Sequence, residues 1–204
     1  MRKTKKDSEL TRQSLLDAAL EVFYSKGVTK ATINDIAQKA NVTRGALYWH
    51  FKNKEEVLQI LCSQFIESDQ KKLEKALYSE HVWETLSETM KSLFHEVIED
   101  ENRHHFSCIM FQDFGMRDYT SILRPILIRY HDMWKSYLYQ GIRLAKEKGE
   151  LPPARNTDWA FFQLNATFIG LMKILIGPVR ENQAAGYIDK IVDESMQLIV
   201  FAPE

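Results

Sequence analysis

The residues 43–54, TRGALYWHFKNK, gather side chains suited to contact with nucleic acid. Arg44 carries a planar fork of donors that matches the paired acceptors of a guanine edge. Tyr48 and His50 can donate to phosphate oxygens, and Thr43 can reach a phosphate or a thymine methyl. Gly45 costs a helix about 1 kcal/mol relative to alanine, and close approach of backbone to DNA is a reason to keep it. Lys52 extends the basic flank. Lys54 falls in the first turn of the next helix, beside free N–H groups that favour an anion such as a phosphate. Thr32, Ala46 and Trp49 complete the candidate set. The Trp49 ring has two readings: it packs beside its helix, or it touches a phosphate through the indole N–H.

These side chains need short helices to hold them. Thr32 opens one in a T-x-x-D variant of the capping box, running to about Ala40. Asn41-Val42 makes a turn, and Thr43 is the next N-cap. Asn53 caps a third start, with Glu56 three residues on, for a helix that continues to about Leu77. Before them, a helix from about Ser8 to Lys26 stacks Leu15, Leu16, Ala19, Leu20, Phe23 and Tyr24 on one stripe, and Gly27 stops it. Ile33, Ile36 and Ala37 can pack on Val42, Leu47 and Phe51. Leu47 and Phe51 lie four apart and share the buried face. Arg44, Tyr48 and His50 cannot all turn inward from so short a helix. Two short helices joined by a tight turn form the helix-turn-helix pattern, whose second helix enters a major groove.

Charge is divided along the chain. Residues 1–54 hold eleven Lys/Arg and five Asp/Glu, a net of +6, whereas the remainder carries −7. A basic head on an acidic body suits a polyanionic partner for the head. Arg2, Lys3, Lys5 and Lys6 form a basic arm able to follow a DNA backbone or enter a minor groove. Eight glycines, five prolines and no sustained period-2 alternation predict an all-α chain of 204 residues. Further helices are expected near 82–100, 103–115, 120–148, 156–177 and 186–201, about nine in total. The domain division is expected as a helix-turn-helix head over 1–53 (motif about 33–52) and a helical body over 54–204. No run approaches the roughly 20 apolar residues of a membrane span, and no apolar stretch follows the basic start. Cys62 and Cys108, distant and without a CxxC pair, read as reduced thiols of a cytoplasmic protein.

The stretch TINDIAQKANVTRGALYWHFKNKEEVL resembles the DNA-binding region of TetR-family transcriptional regulators. The pattern of an aromatic pair, then His-Phe, then a lysine stands here as Tyr48-Trp49-His50-Phe51-x-x-Lys54. TRQSLLDAALEVFYSKGVTKATINDIA fits too, and the recognition helix is most similar to efflux repressors of the AcrR/TtgR type. The specific likeness covers about residues 8–60. It implies an all-helical homodimer whose two heads read a palindromic operator on double-stranded DNA. It also implies a body holding a pocket for a small lipophilic or aromatic effector, which releases the DNA. Such proteins include repressors of multidrug-efflux operons, and the resemblance implies no cofactor.

The body is rich in aromatic and methionine side chains, which can make plain core or an adaptable apolar cavity. The candidate lining is Phe65, Phe111, Phe114, Trp134, Tyr137 and Phe168. Glu67, Asp113 and Asp132 could pair with a cationic ligand but read more simply as surface charges. The last two long helices, from Asn156 and from Gly186, are the dimer candidates. Five histidines in the body prompt a check for metal. A di-iron bundle needs two Glu-x-x-His motifs, and only Glu101-x-x-His104 is present; His104-His105 reads as exposed. No HExxH, GxSxG or P-loop occurs, so neither an enzyme nor a metal site is expected. The alternative to a ligand-released repressor is a ligand-independent regulator whose body only dimerises.

Overall fold

Three side chains that accept a hydrogen bond ahead of an apolar run set the start of three helices. In the computed structural model, which describes residues 5–111, 122–177 and 184–201, Thr32 opens α2 (Ile33–Lys39). Thr43 opens α3 (Arg44–His50), and Asn53 opens α4 (Lys54–Leu77). Each cap accepts from the amide three residues on, satisfying one of the donors that a helix start leaves free. Before them lies α1 (Lys5–Lys26). The body continues with α5 (Val82–Glu99), α6 (Glu101–Phe111), α7 (Leu123–Glu147), α8 (Thr157–Leu175) and α9 (Ile188–Phe201). A 3₁₀ turn at Ala184–Tyr187 precedes α9. Among the described residues the architecture is therefore all-α, as expected. None of these helices is long and apolar enough to cross a membrane.

α1 is the floor of the head. Its Leu15, Leu16, Ala19, Leu20 and Phe23 belong to the same apolar cluster as Ile36, Ala37, Leu47 and Phe51. Val57, Leu58 and Leu61 of α4 extend that cluster, which runs on without a break into the body. The division expected at 53/54 thus cuts one continuous core, with α4 shared by both halves.

The body ties its own loops together. α7 ends in a Schellman motif: Glu150 N donates to Ala145 O at 2.8 Å, and Gly149 N to Lys146 O at 3.1 Å. Gly149 supplies the left-handed conformation at φ +76°, which a side chain would strain. The turn sends the Glu150 carboxylate to the start of α5, where it accepts from Val82 N at 3.0 Å and Trp83 N at 2.7 Å. His81 provides no side-chain cap, so an anion from another loop does its work at the positive end of the helix.

Two expectations change here. His104 and His105 are buried, not exposed. α6 lies along α1, and the His105 ring stacks on Tyr24 with centroids 3.9 Å apart. A sequence stripe read on α6 alone does not include that second helix. The first helix also begins earlier than about Ser8: α1 starts at Lys5, so Lys5 and Lys6 belong to it, while Arg2 and Lys3 lie outside the described residues.

Candidate nucleic-acid interface and the aromatic core behind it

The head holds its second helix by three local devices. The first is a full capping box at α2. Thr32 N donates to Asp35 Oδ2 at 2.9 Å while Asp35 N donates to Thr32 Oγ1 at 3.2 Å. Lys26, in the last turn of α1, pairs with the same carboxylate at 2.6 Å. Hydrogen bonds from Lys26 and Thr32 hold the Asp35 carboxyl down at about 2. The second device is the turn: Asn41 sits at φ +54°, where asparagine is among the few non-glycine residues tolerated, and Val42 N donates to Ala37 O at 3.0 Å. The third is burial of Leu47 and Phe51, at 0% and 1% exposure, with the Arg12 guanidinium over the Phe51 ring.

With one face of α3 buried, the other meets solvent. Thr43, Arg44, Gly45, Tyr48 and Trp49 are exposed; Ala46 and His50 are half-buried. Arg44 is pre-positioned on its own helix, donating to the Tyr48 hydroxyl at 3.2 Å with the guanidinium over that ring. Trp49 is 76% exposed and meets the His50 ring edge-on. Of its two sequence readings, packing beside the helix is not what the structure has. Thr32 and Lys52 flank the face and are exposed. A Cβ built at Gly45 meets only Thr43 Oγ1, at 3.9 Å, so nothing inside the protein requires glycine there.

Lys54 differs from the expectation. Its ammonium donates to the carbonyls of Val28 at 2.8 Å, Ala31 at 2.9 Å and Thr29 at 3.2 Å. An ammonium has three N–H groups, and all three are engaged. Lys54, read in the sequence as a DNA contact, here clamps the start of α4 to the loop between α1 and α2. Thr29 and Ala31 stand more than twenty residues earlier, so the spacing around Lys54 held no sign of it.

The candidate ligand residues lie in the body on α4, α6, α7 and α8. Phe65, Phe111, Trp134 and Phe168 belong to one chain of ring contacts. Trp134 meets Phe168 at 4.5 Å, Phe111 meets Phe168 at 6.0 Å, and Phe65 stacks on Phe106 at 4.4 Å. Phe106 and Tyr130 complete the chain. Tyr137 turns aside: its hydroxyl donates to Glu74 Oε1 at 2.7 Å. Phe114 and Asp113 lie outside the described residues, while Glu67 and Asp132 are exposed.

Sequence reasoning missed a charged pair inside this core. Asp69 of α4 is fully buried; its Oδ1 pairs with the Arg103 guanidinium of α6, and its Oδ2 accepts from the Tyr130 hydroxyl at 2.7 Å. Burial and the adjacent Asp69 carboxylate push the Tyr130 hydroxyl well above its ordinary range, so it stays a donor. The available signal was Asp69 itself, standing among the buried α4 positions Cys62, Ile66, Leu73 and Ala76. Cys62, beside them, is pushed up to about 12 by burial and is inert as a thiolate. Among the described residues, no cluster of His, Cys, Asp or Glu could hold a metal ion.

Residues 15–60 match the family model for bacterial regulatory proteins, tetR family. The chain is 36% identical over 151 residues to the HTH-type transcriptional regulator SrpR of Pseudomonas putida, covering 74% of this chain and 68% of the relative. It is 29% identical over 210 residues to the HTH-type transcriptional regulator TtgR, also of Pseudomonas putida, covering 100% and 98%. Among solved structures, SmeT, the repressor of the Stenotrophomonas maltophilia multidrug efflux pump SmeDEF, superposes with a TM-score of 0.79 at 26% identity, covering 96% of this chain and 93% of that one. These relatives are regulators rather than enzymes. The capped helix-turn-helix, its exposed recognition face and these likenesses together make the chain a member of the TetR family of bacterial transcriptional regulators.

Proposed function

We propose that the chain is a dimeric repressor that grips a palindromic operator with α3 and lets go when a small lipophilic ligand enters the body. The observation that carries this reading is the α3 face. Arg44, Tyr48 and Trp49 stand out from a helix whose Leu47 and Phe51 are buried, and Arg44 is already braced by Tyr48. Arg44 reads a guanine edge; Thr43, Tyr48 and His50 reach phosphates; Thr32 and Lys52 flank them, and Gly45 and Ala46 let the backbone come close.

Dimerisation is supported by α8 and α9, which leave Phe162, Ile174, Leu198 and Phe201 exposed at 64%, 46%, 45% and 78%. A two-fold dimer matches half-sites about one helical turn of DNA apart. SmeT, solved in complex with triclosan (TM-score 0.79), supports a lipophilic effector and an efflux operon as the target.

The test is fluorescence anisotropy with fragments of the protein's own upstream region at several salt concentrations. Affinity should fall steeply with salt, since each neutralised phosphate releases counterions. Arg44→Ala should lower discrimination between operator and scrambled DNA by about 1–3 kcal/mol. A protein that shifts no upstream fragment at low salt overturns the reading; binding that no lipophilic compound reverses removes its ligand half.

A further inference from the structure

The outer face of α4 borders a cleft of about 620 Å³ that the head and the body build together. Arg12 comes to it from α1, Ile60, Ser63 and Glu67 from α4, and Ile126 and Arg129 from α7. The positions 60, 63 and 67 follow one side of α4, whereas Leu58, Leu61, Ile66 and Asp69 fill its buried side. The cleft and the ring cluster of the body therefore lie on opposite sides of that helix.

Both arginines hold donors in reserve. The Arg12 guanidinium lies over the Phe51 ring at 5.2 Å, and no carboxylate among the described residues pairs with it. Arg129 donates to Ser63 Oγ at 3.0 Å, and it too has no carboxylate partner among the described residues. Most N–H groups of the two forks thus lack a protein acceptor. A guanidinium fork matches the paired oxygens of a carboxylate, in hydrogen bonds that are charge-assisted.

The remaining lining residues narrow the ligand. Glu67 stands one helical turn beyond Ser63, so the charged groups around the cleft, two arginines and one glutamate, sum to +1. One negative charge neutralises that sum; a dianion exceeds it and a cation adds to it. Ile60 and Ile126 supply an apolar wall beside the two forks.

We infer that this cleft binds a small carboxylic acid as its monoanion, the carboxylate held by Arg12 and Arg129 and the apolar part laid against Ile60 and Ile126. Arg12 also covers Phe51, whose burial anchors α3, so the acid binds where the head is fastened to the body. The site uses no ring of the interior and does not depend on the ligand-released reading above.

The probe is 4-isopropylbenzoate, set against its primary amide, acetate and sulfate, with Kd for the full chain measured by calorimetry. The benzoate should bind about fivefold tighter than the amide, a ratio that allows for solvent screening of the ion pairs. Acetate should bind more weakly than the benzoate for want of an apolar part, and sulfate more weakly for its second charge. Arg129→Gln should weaken the benzoate about threefold and leave the amide within about twofold. Glu67→Gln removes the repelling acid and should tighten the benzoate about twofold. Arg12→Gln also uncovers Phe51, so the two exposed positions, Arg129 and Glu67, carry the test. In the parent chain, the Nε–Hε resonances of Arg12 and Arg129 should shift as the benzoate is added. The inference is overturned if the benzoate does not bind, or if the amide or sulfate binds as tightly. It is equally overturned if both variants leave the benzoate's Kd unchanged, or if its shifts fall on the ring cluster instead of the two arginines.

Discussion

The Lys54 ammonium donates to the Ala31 carbonyl at 2.9 Å, joining the first residue of α4 to the loop that leads into the helix-turn-helix. Replacing Lys54 by methionine keeps the aliphatic stem and deletes three donors. Stability to urea should fall by about 1.5–3 kcal/mol, the range for hydrogen bonds to a charged group. Operator affinity should drop because α2 and α3 lose a support, yet the slope of log affinity against log salt should stay unchanged. A phosphate contact would instead lower that slope by about 1.

Gly45 should show opposite effects in two measurements. Its surroundings admit a Cβ, with the nearest atom 3.9 Å away. Gly45→Ala should therefore raise stability by about 0.4–1 kcal/mol, through a less flexible unfolded chain. The added methyl points outward from the exposed face, so operator affinity should fall. A melting curve and an anisotropy titration of the same preparation check both signs.

The Asp69–Arg103 pair should be costly to break singly and cheap to replace whole. Asp69→Ala leaves the buried Arg103 without its main counter-charge, and a loss of about 3–5 kcal/mol is expected. Asp69→Leu combined with Arg103→Met and Tyr130→Phe removes every partner together. It should lose far less than the sum of the single changes, measured by urea denaturation.

Asp35 gives the head a defined acid limit. Its carboxyl is held at about 2, below the ordinary 3.8, so the stabilisation is fully present above about 3.8. It is lost as pH falls from there through about 2. Asp35→Asn should be less stable than the parent at pH 5, with the gap closing by pH 2. Circular-dichroism melts across that range test the sign.

What was legible in the sequence was local. Thr32, Thr43 and Asn53 are caps because a side-chain oxygen three residues before an amide suffices to make one, and Leu47 and Phe51 share a face by spacing alone. The bury-or-expose division of α3 followed from those two facts. The unread features all join distant segments. Lys54 meets carbonyls of the α1–α2 loop, Asp69 meets a guanidinium 34 residues on, and His105 stacks on Tyr24 of another helix. Among the candidate ligand residues, Phe65, Phe111, Trp134 and Phe168 share one chain of ring contacts, and ring type alone is what singled them out. It could not separate Tyr137, whose hydroxyl leaves the cluster for Glu74.

The exposure of Trp49 has an optical consequence. Of the four tryptophans, Trp83 and Trp134 are buried at 8% and 6%, Trp159 is 38% exposed, and Trp49 stands 76% in water. Its indole is the solvent-relaxed, red-emitting and most quencher-accessible one of the set, and it sits on the recognition face. Trp83 and Trp134, both buried in the body, emit together at the blue edge. One unlabelled protein thus carries a red reporter on the exposed face of α3 and a blue pair in its interior.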